Sequence, residues 1–209
     1  MLVFWKPKLV FLATPKTGTA AIEAALDSLA AVSIPRPPAL KHTTVQRYHQ
    51  YLHPYLEAAS GSSFEVVAMI REPRDWLGSW YRFGQREGIS GSHKSTRGMT
   101  FDAFVQAYCS NQRPAFADVG SQAEFLQPHD GQWIDKLFRY EDIDTFVHFL
   151  EEKLDCEISL PRLNVSPPGS LDLSQKTDDL LHQFAARDFD LYRTLLPSKS
   201  LADVDAGRC

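Results

Sequence analysis

Cysteine is scarce in this sequence, and no group of residues has the spacing of a metal site. The three cysteines, Cys109, Cys156 and Cys209, lie far apart, whereas the cysteine ligands of zinc sites come in closely spaced pairs. Among the seven histidines, His49 and His53 stand four residues apart on a predicted helix, where we interpret them as surface residues. We therefore predict free thiols in a reducing compartment and no bound metal.

Long apolar runs and an excess of positive charge are missing too. The apolar segment Leu9 to Ala13 is far shorter than the ~20 residues of a membrane-spanning helix, and it leads directly into a polar turn, unlike a signal peptide. A formal net charge of −4 argues against nucleic acid as a partner. We expect a soluble, cytoplasmic protein with no membrane span, on which any anion site is a local concentration of basic residues.

Apolar segments and helical segments alternate along the chain. Strands are predicted at residues 9–13, 64–70 and 133–139, the first of which has the continuous apolar pattern of a buried parallel strand. Spacing, composition and capping residues predict helices at about residues 20–31, 45–56, 73–86, 101–108, 121–126, 142–154 and 175–195. This order predicts one domain over residues 1–209, of the three-layer α/β/α class with a mainly parallel central sheet.

Two connecting segments have distinctive compositions. Ser33 to Leu40 contains Pro35, Pro37 and Pro38, which predict an extended connection rather than a helix. Residues 88–98 are rich in glycine and serine, which predicts a loop. No internal repeat or linker divides the chain.

The turn after the first predicted strand has the composition of a phosphate-binding turn. Residues Thr14 to Thr19 read Thr-Pro-Lys-Thr-Gly-Thr and lie between an apolar strand and a helix. Small residues at such a position let backbone N–H groups and the N-terminus of a helix face an anion. In a parallel sheet, ligands bind at the carboxyl ends of the strands. This turn therefore predicts a site for an anionic, nucleotide-like ligand.

A second basic segment follows the strand that ends at Ile70. Arg71 ends this strand, and Ser79 follows eight residues later, two turns into the next helix. Taken alone, Arg71 is better explained by an ion pair with Glu72 or Asp75. Together with Lys16 at the same edge of the sheet, it indicates a guanidinium that contacts a phosphate.

At this point the sequence resembles a known family, the sulfotransferases that use 3′-phosphoadenosine 5′-phosphosulfate (PAPS). The Thr14 to Thr19 turn is similar to their 5′-phosphosulfate-binding loop, and the segment from Ile70 to Tyr81 is similar to their 3′-phosphate-binding segment. Leu137 to Ile143 resembles their strand ending in Tyr-Glu-Asp-Leu, and Leu163 to Ser166 gives a fourth match. The resemblance implies a P-loop-like fold and transfer of a sulfuryl group from PAPS to a hydroxyl of a carbohydrate or another small molecule.

The resemblance also implies roles for individual residues. Lys16 would contact the 5′-phosphosulfate and stabilise the leaving oxygen, while Arg71 and Ser79 would hold the 3′-phosphate. Tyr140 would lie near the adenine, although a tyrosine that packs at the end of the sheet is an alternative interpretation. The backbone amides of Thr17, Gly18 and Thr19, with the Thr17 and Thr19 hydroxyls, would hold the 5′-phosphate. The whole donor-binding loop would comprise Pro15, Lys16, Thr17, Gly18, Thr19 and Ala20.

The sequence departs from the family pattern in ways that indicate a branch. Ala20 stands where the family often has a second threonine, so one hydrogen bond to phosphate is lost. The tryptophan after the loop and the C-terminal Arg-Lys-Gly motif of the cytosolic small-molecule branch are absent. The chain therefore looks more like the bacterial and carbohydrate-type sulfotransferases than like the phenol and steroid enzymes.

The acceptor hydroxyl in such a reaction benefits from a general base. His42 is the candidate, because it follows the proline-rich connection and is preceded by Lys41, a pair that resembles the Lys-Glu pair of carbohydrate sulfotransferases. Lys41 would then assist the sulfonate. A solvated or capping histidine is the alternative interpretation, and His93 in the 88–98 loop is a weaker candidate.

Two other functions compete with a sulfotransferase. A P-loop kinase or nucleotide hydrolase would share the fold class, but the chain has no Gly-x-x-x-x-Gly-Lys-Ser/Thr run. A non-catalytic module that binds 3′-phosphonucleotides would keep both phosphate segments without turnover, and Ala20 is the residue that favours it.

Overall fold

The computed structural model describes residues 1–127, 134–161 and 170–195. Its centre is an open sheet of five strands in the order β3-β1-β2-β4-β5. The middle strands β2 and β4 are buried on both faces, as their unbroken apolar sequences require. The strands are β1 (Leu2–Phe4), β2 (Leu9–Leu12), β3 (Val32–Ser33), β4 (Glu65–Ile70) and β5 (Lys136–Arg139).

The sheet is mixed, and the prediction of a mainly parallel sheet was wrong. Strands β2, β4 and β5 are parallel, but β1 runs antiparallel to both β2 and β3. Neither β1 nor β3 was predicted. Residues 5–8 form the turn of a hairpin between β1 and β2, in which Phe4 pairs with Leu9. Lys8 adopts a positive φ of 53° in this turn.

Helices cover both faces of the sheet and extend beyond its edge. A π-helical segment, Tyr48–Leu52, continues the third helix into the fourth, and 3₁₀ turns lie at Asp27–Leu29, Glu87–Ile89 and Tyr140–Asp142. The α-helices are α1 (Thr19–Leu26), α2 (Pro38–Lys41), α3 (Val45–Arg47), α4 (His53–Ser60), α5 (Pro73–Gly84), α6 (Phe101–Tyr108), α7 (Gln122–Leu126), α8 (Ile143–Leu154), α9 (Gln175–Phe184) and α10 (Ala186–Arg193).

Several predicted boundaries agree with these elements, and others do not. The helix starts predicted at residues 45 and 101 agree, because Thr44 and Thr100 cap α3 and α6 through their side-chain oxygens. The proline-rich segment is not extended throughout, because Pro38 begins α2, and a proline is well suited to the first turn of a helix. Trp133 and the segment Leu163 to Ser166 lie outside the described residues.

The two faces of the sheet form separate apolar layers. On one face, Phe11 and Met69 pack against Ile22 of α1 and Phe146 of α8. On the other face, Leu12 and its neighbours pack against α3, α4, α7 and α10 through Val45, Leu56, Phe125 and Tyr192. A third cluster joins α5, α6 and α9. The three-layer α/β arrangement therefore places the ends of β2 and β4 at one edge, facing α5.

No helix in residues 1–127, 134–161 and 170–195 combines the length and the apolar character needed to cross a bilayer. The same described ranges contain no cluster of three or more histidine, cysteine, aspartate or glutamate side chains that could hold a metal ion.

Phe146 provides a test of the packing of α8 on the sheet. Its ring is fully buried, with centroids 5.3 Å from Phe11 and 5.0 Å from Phe138. We expect Phe146→Ala to lower the free energy of unfolding by about 3–5 kcal/mol, because it leaves a cavity in this layer. Tyr55→Ala is the control: Tyr55 is 71% exposed and should cost less than about 0.5 kcal/mol. Urea denaturation measures both, and equal losses would contradict this packing.

Candidate anion-binding site

The turn between β2 and α1 folds into a compact loop with two residues in the left-handed region. Lys16 has a φ of 66° and Gly18 a φ of 72°. The buried hydroxyl of Thr17 donates to the carbonyl of Thr14 at 2.9 Å, which closes the loop from inside. A turn of this kind can present successive N–H groups to an anion, and here it leads directly into the N-terminus of α1. A non-glycine residue at positive φ is uncommon, so the backbone at Lys16 is strained.

The loop is held from outside by two long-range contacts. The indole Nε1 of Trp76, on α5, donates to the carbonyl of Pro15 at 2.9 Å. Tyr140 packs directly on Gly18, where a Cβ atom would lie 2.9 Å from the tyrosine Cε2. Gly18 is therefore required by its φ angle and also by the close approach of Tyr140.

Lys16 points into an aromatic and basic environment. Its Nζ lies 4.4 Å from the ring centroid of Phe83 and 5.0 Å from that of Trp80. Burial, followed by the positive charges of Arg86, Arg71 and Arg82, lowers the pKa of Lys16 to about 8. A lysine in this state gains a favourable partner when an anion enters the site.

Arg71 lies just beyond β4, and its side chain contacts both the Thr14 to Thr19 turn and the first turn of α5. Its Nε donates to Asp75 Oδ2 at 2.7 Å, and its Nη1 donates to the carbonyl of Lys16 at 3.0 Å. The guanidinium also lies 4.4 Å from the ring centroid of Tyr140. The ion pair with Asp75, the alternative interpretation of this arginine, is thus formed. A guanidinium has more N–H groups than these contacts use, so Arg71 can still donate to a ligand.

His42 and Lys41 lie at the end of α2, on the other side of the loop. His42 Nδ1 is 2.6 Å from the carbonyl oxygen of Ala13. Because a carbonyl only accepts, Nδ1 carries the proton and Nε2 keeps its lone pair. Burial lowers the pKa of His42, so the ring is neutral at pH 7. The Nζ of Lys41 forms an ion pair with the buried carboxylate of Glu23.

These side chains surround one cavity of about 430 Å³. Thr17 is buried behind the loop and does not line the cavity. His49, His53 and His93 do not line it either. All the other residues expected at the site contribute to its wall, namely Pro15, Lys16, Gly18, Thr19, Ala20, Lys41, His42, Arg71, Ser79 and Tyr140.

Six residues of the cavity wall were not predicted from the sequence: Ala21, Pro38, Trp80, Phe83, Arg86 and Lys94. Two of them could have been found from helical spacing, because Phe83 and Arg86 follow Ser79 at i+4 and i+7, on the same side of the predicted helix. Lys94 had none. It reaches the cavity because the neighbouring loop is fastened to α5 by Thr96, whose hydroxyl donates to the carbonyl of Tyr81 at 2.7 Å.

The electrostatic character of the cavity differs from that of the whole chain. Its wall carries five basic side chains, Lys16, Lys41, Arg71, Arg86 and Lys94, and no carboxylate among the described residues lines it. The net charge of the chain is −4. A concentration of positive charge in a concave site on an acidic protein favours an anionic ligand of small size.

No protein-family model and no curated protein matches this sequence.

Gly18 offers a test of the loop geometry with an internal control. We expect Gly18→Ala to lower the free energy of unfolding by about 2–3 kcal/mol, because the new Cβ adds a clash with Tyr140 to the cost of a positive φ. Gly61 has nearly the same φ, 69°, but a Cβ added there would meet no heavy atom within 4 Å. Gly61→Ala should therefore cost only about 1 kcal/mol.

Urea denaturation of both variants measures the difference. Combining Gly18→Ala with Tyr140→Ala should remove the excess cost of the glycine substitution, since the clashing ring is gone. An excess that persists in the double variant would show that Tyr140 does not press on the loop.

Proposed function

We propose that this chain is a PAPS-dependent sulfotransferase that transfers a sulfuryl group to the hydroxyl of a carbohydrate or another small-molecule acceptor. The observation that carries the proposal is the cavity in which Lys16, Arg71, Ser79 and His42 meet, although they come from three separate segments of the chain. Its volume, about 430 Å³, is in the ordinary range for small-ligand sites. The finer fold assignment, a P-loop-like sulfotransferase fold, is part of this proposal.

The donor would use the basic side of the cavity. The turn at Lys16 to Gly18 and the N-terminus of α1 are suited to the 5′-phosphate, since N–H groups in the first turn of a helix have no partner within the helix. Arg71 and Ser79 are suited to the 3′-phosphate, the group that distinguishes PAPS from ATP. The Lys16 ammonium, partly removed from water, would stabilise the negative charge that develops on the leaving oxygen.

The acceptor would be activated by His42. The hydroxyl oxygen attacks sulfur, forming the new O–S bond as the bond between sulfur and the bridging oxygen of the donor breaks. The hydroxyl proton moves to Nε2 of His42, which is free to accept it because Nδ1 donates to Ala13. The electron pair of the broken bond leaves with 3′-phosphoadenosine 5′-phosphate (PAP), beside Lys16. Positioning and charge stabilisation supply most of the rate in such transfers.

Donor binding is tested by calorimetry with PAP, ATP and AMP. We expect PAP to bind at least tenfold more tightly than the other two, because only PAP offers a 3′-phosphate to Arg71 and Ser79. Lys16→Ala should abolish sulfation and weaken PAP binding, whereas Lys6→Ala, at an exposed position, should change neither. Equal affinity for ATP and PAP would favour a P-loop nucleotide enzyme instead.

The pH dependence of PAP binding reports on Lys16 specifically. Its pKa of about 8 means that the side chain is charged below pH 8 and increasingly neutral above it. Affinity should therefore be highest at pH 7 and fall between pH 8 and 9.5, a range in which the phosphates are already fully ionised. Near pH 8, the protein should take up protons when it binds PAP. The observed binding enthalpy should therefore change with the ionisation enthalpy of the buffer. Proton uptake that persists in Lys16→Ala would assign it to another group.

The role of His42 is tested by turnover. We expect His42→Ala to reduce the rate of PAP release from PAPS by about 10²–10⁴-fold with a panel of sugars and phenols as acceptors. The affinity for PAP should change little, and His148→Ala, at a side chain that is 72% exposed, should behave as wild type. The wild-type rate should fall at acidic pH as His42 becomes protonated, below its ordinary pKa. A wild-type rate in His42→Ala would assign the base elsewhere.

A non-catalytic module remains the competing function, favoured by Ala20 alone. Calorimetry with PAP does not separate it from an enzyme, but turnover does. Tight binding of PAP without sulfation of any acceptor would support the module.

A further inference from the structure

Arg71 lies just beyond the end of the β4–β5 pairing, where β5 no longer supplies hydrogen-bond partners for its backbone N–H and carbonyl groups. The parallel pairing of β4 with β5 ends at Ile70, which pairs with Arg139. The side chain of Gln122, on α7, supplies both hydrogen-bond partners instead. The N–H of Arg71 donates to Gln122 Oε1 at 2.9 Å, and Gln122 Nε2 donates to the carbonyl of Arg71 at 2.8 Å. One side-chain amide thus fixes both polar groups of the arginine backbone.

Gln122 is itself held firmly in place. It is fully buried, and its own N–H donates to Asp188 Oδ2 at 3.2 Å. Asp188, on α10, is 2% exposed and also accepts from the N–H of Ala123 at 2.8 Å and from the hydroxyl of Ser121 at 2.6 Å. A buried carboxylate with three hydrogen bonds leaves α7 little freedom to move relative to α10.

The same line of contacts continues into the anion-binding loop. Arg71 donates from its side chain to the carbonyl of Lys16, the residue at positive φ. Hydrogen bonds therefore connect Asp188 to Gln122, Gln122 to Arg71, and Arg71 to Lys16. Gln122 does not line the 430 Å³ cavity, and its side-chain hydrogen bonds reach that cavity through the backbone of Arg71.

We propose that Gln122 is a positioning residue that sets the affinity of the site for its donor by fixing Arg71. The inference rests on the proposed function, because it takes PAP as the ligand of Arg71. Without the amide, the N–H and carbonyl of Arg71 lose their partners, and the strand end shifts to recover hydrogen bonds. A guanidinium that also spans Asp75 and Lys16 cannot shift without changing its geometry toward a phosphate, and small displacements of positioning groups have large effects on ligands.

A double-mutant cycle separates this role from a purely structural one. The variants are Gln122→Met, Arg71→Ala and the double variant, with PAP affinity measured by calorimetry and unfolding free energy by urea denaturation. We expect Gln122→Met to weaken PAP binding about tenfold in the wild-type background. In the Arg71→Ala background it should weaken binding no further, while its loss of stability persists.

Two further variants guard against a folding defect. Asp188→Asn and Gln122→Glu each keep the shape of the side chain and remove part of the network, and each should weaken PAP binding about threefold. Thr177→Val is the matched control. It removes a buried hydroxyl that is bonded to Gln106 and Ser174, so it should lower stability and leave PAP affinity unchanged.

The outcomes distinguish the two levels of the proposal. Wild-type PAP affinity in Gln122→Met or Gln122→Glu would overturn the positioning role. An equal loss of affinity in the Arg71→Ala background would also overturn it, since the effect would not pass through Arg71. Failure of the wild-type protein to bind PAP would overturn the proposed function and, with it, this inference.

Discussion

The candidate site depends on the contacts of a single guanidinium. Arg71 joins the two turns that follow β2 and β4, because it donates to the carbonyl of Lys16 and to the carboxylate of Asp75. The first contact supports a backbone conformation at Lys16 that non-glycine residues rarely adopt. The second sets the direction of the guanidinium relative to α5, which carries Ser79, Trp80 and Phe83 into the cavity. Side chains on α7 and α10 in turn support the backbone of Arg71.

The cavity collects charges that would repel one another without a ligand. Lys16 is the most affected, because burial and three nearby arginines favour its neutral form. By contrast, Lys41 and Arg71 are each compensated by a carboxylate, Glu23 and Asp75 respectively. Internal ion pairs therefore hold Lys41 and Arg71 in place, whereas the charge on Lys16 is the one that a bound anion would stabilise. Side chains with perturbed pKa values cluster at functional sites, which makes this cavity the candidate site.

The parts of the fold that sequence patterns predicted are those with strong local signals. The central strands β2 and β4 have unbroken apolar sequences, and α8 has clear helical spacing, so their existence and order could be inferred. Strands β1 and β3 could not, because they are only two or three residues long and their pairing is decided by a hairpin and by a long-range partner. The same limit applies to the helix that runs from Gln175, which breaks at Ala185 into α9 and α10.

Local sequence patterns were enough to predict that two basic turns follow two buried strands. They also predicted that a lysine, an arginine, a serine and a histidine lie near one edge of the sheet. Those inferences follow from local periodicity and from the rule that parallel strands end at the same edge. Local patterns did not show that Arg71 donates to the carbonyl of Lys16, or that Gln122 hydrogen-bonds to the backbone of Arg71. These contacts connect residues 51 apart in one case and 55 in another, and no local pattern records which distant side chain will meet a given backbone group.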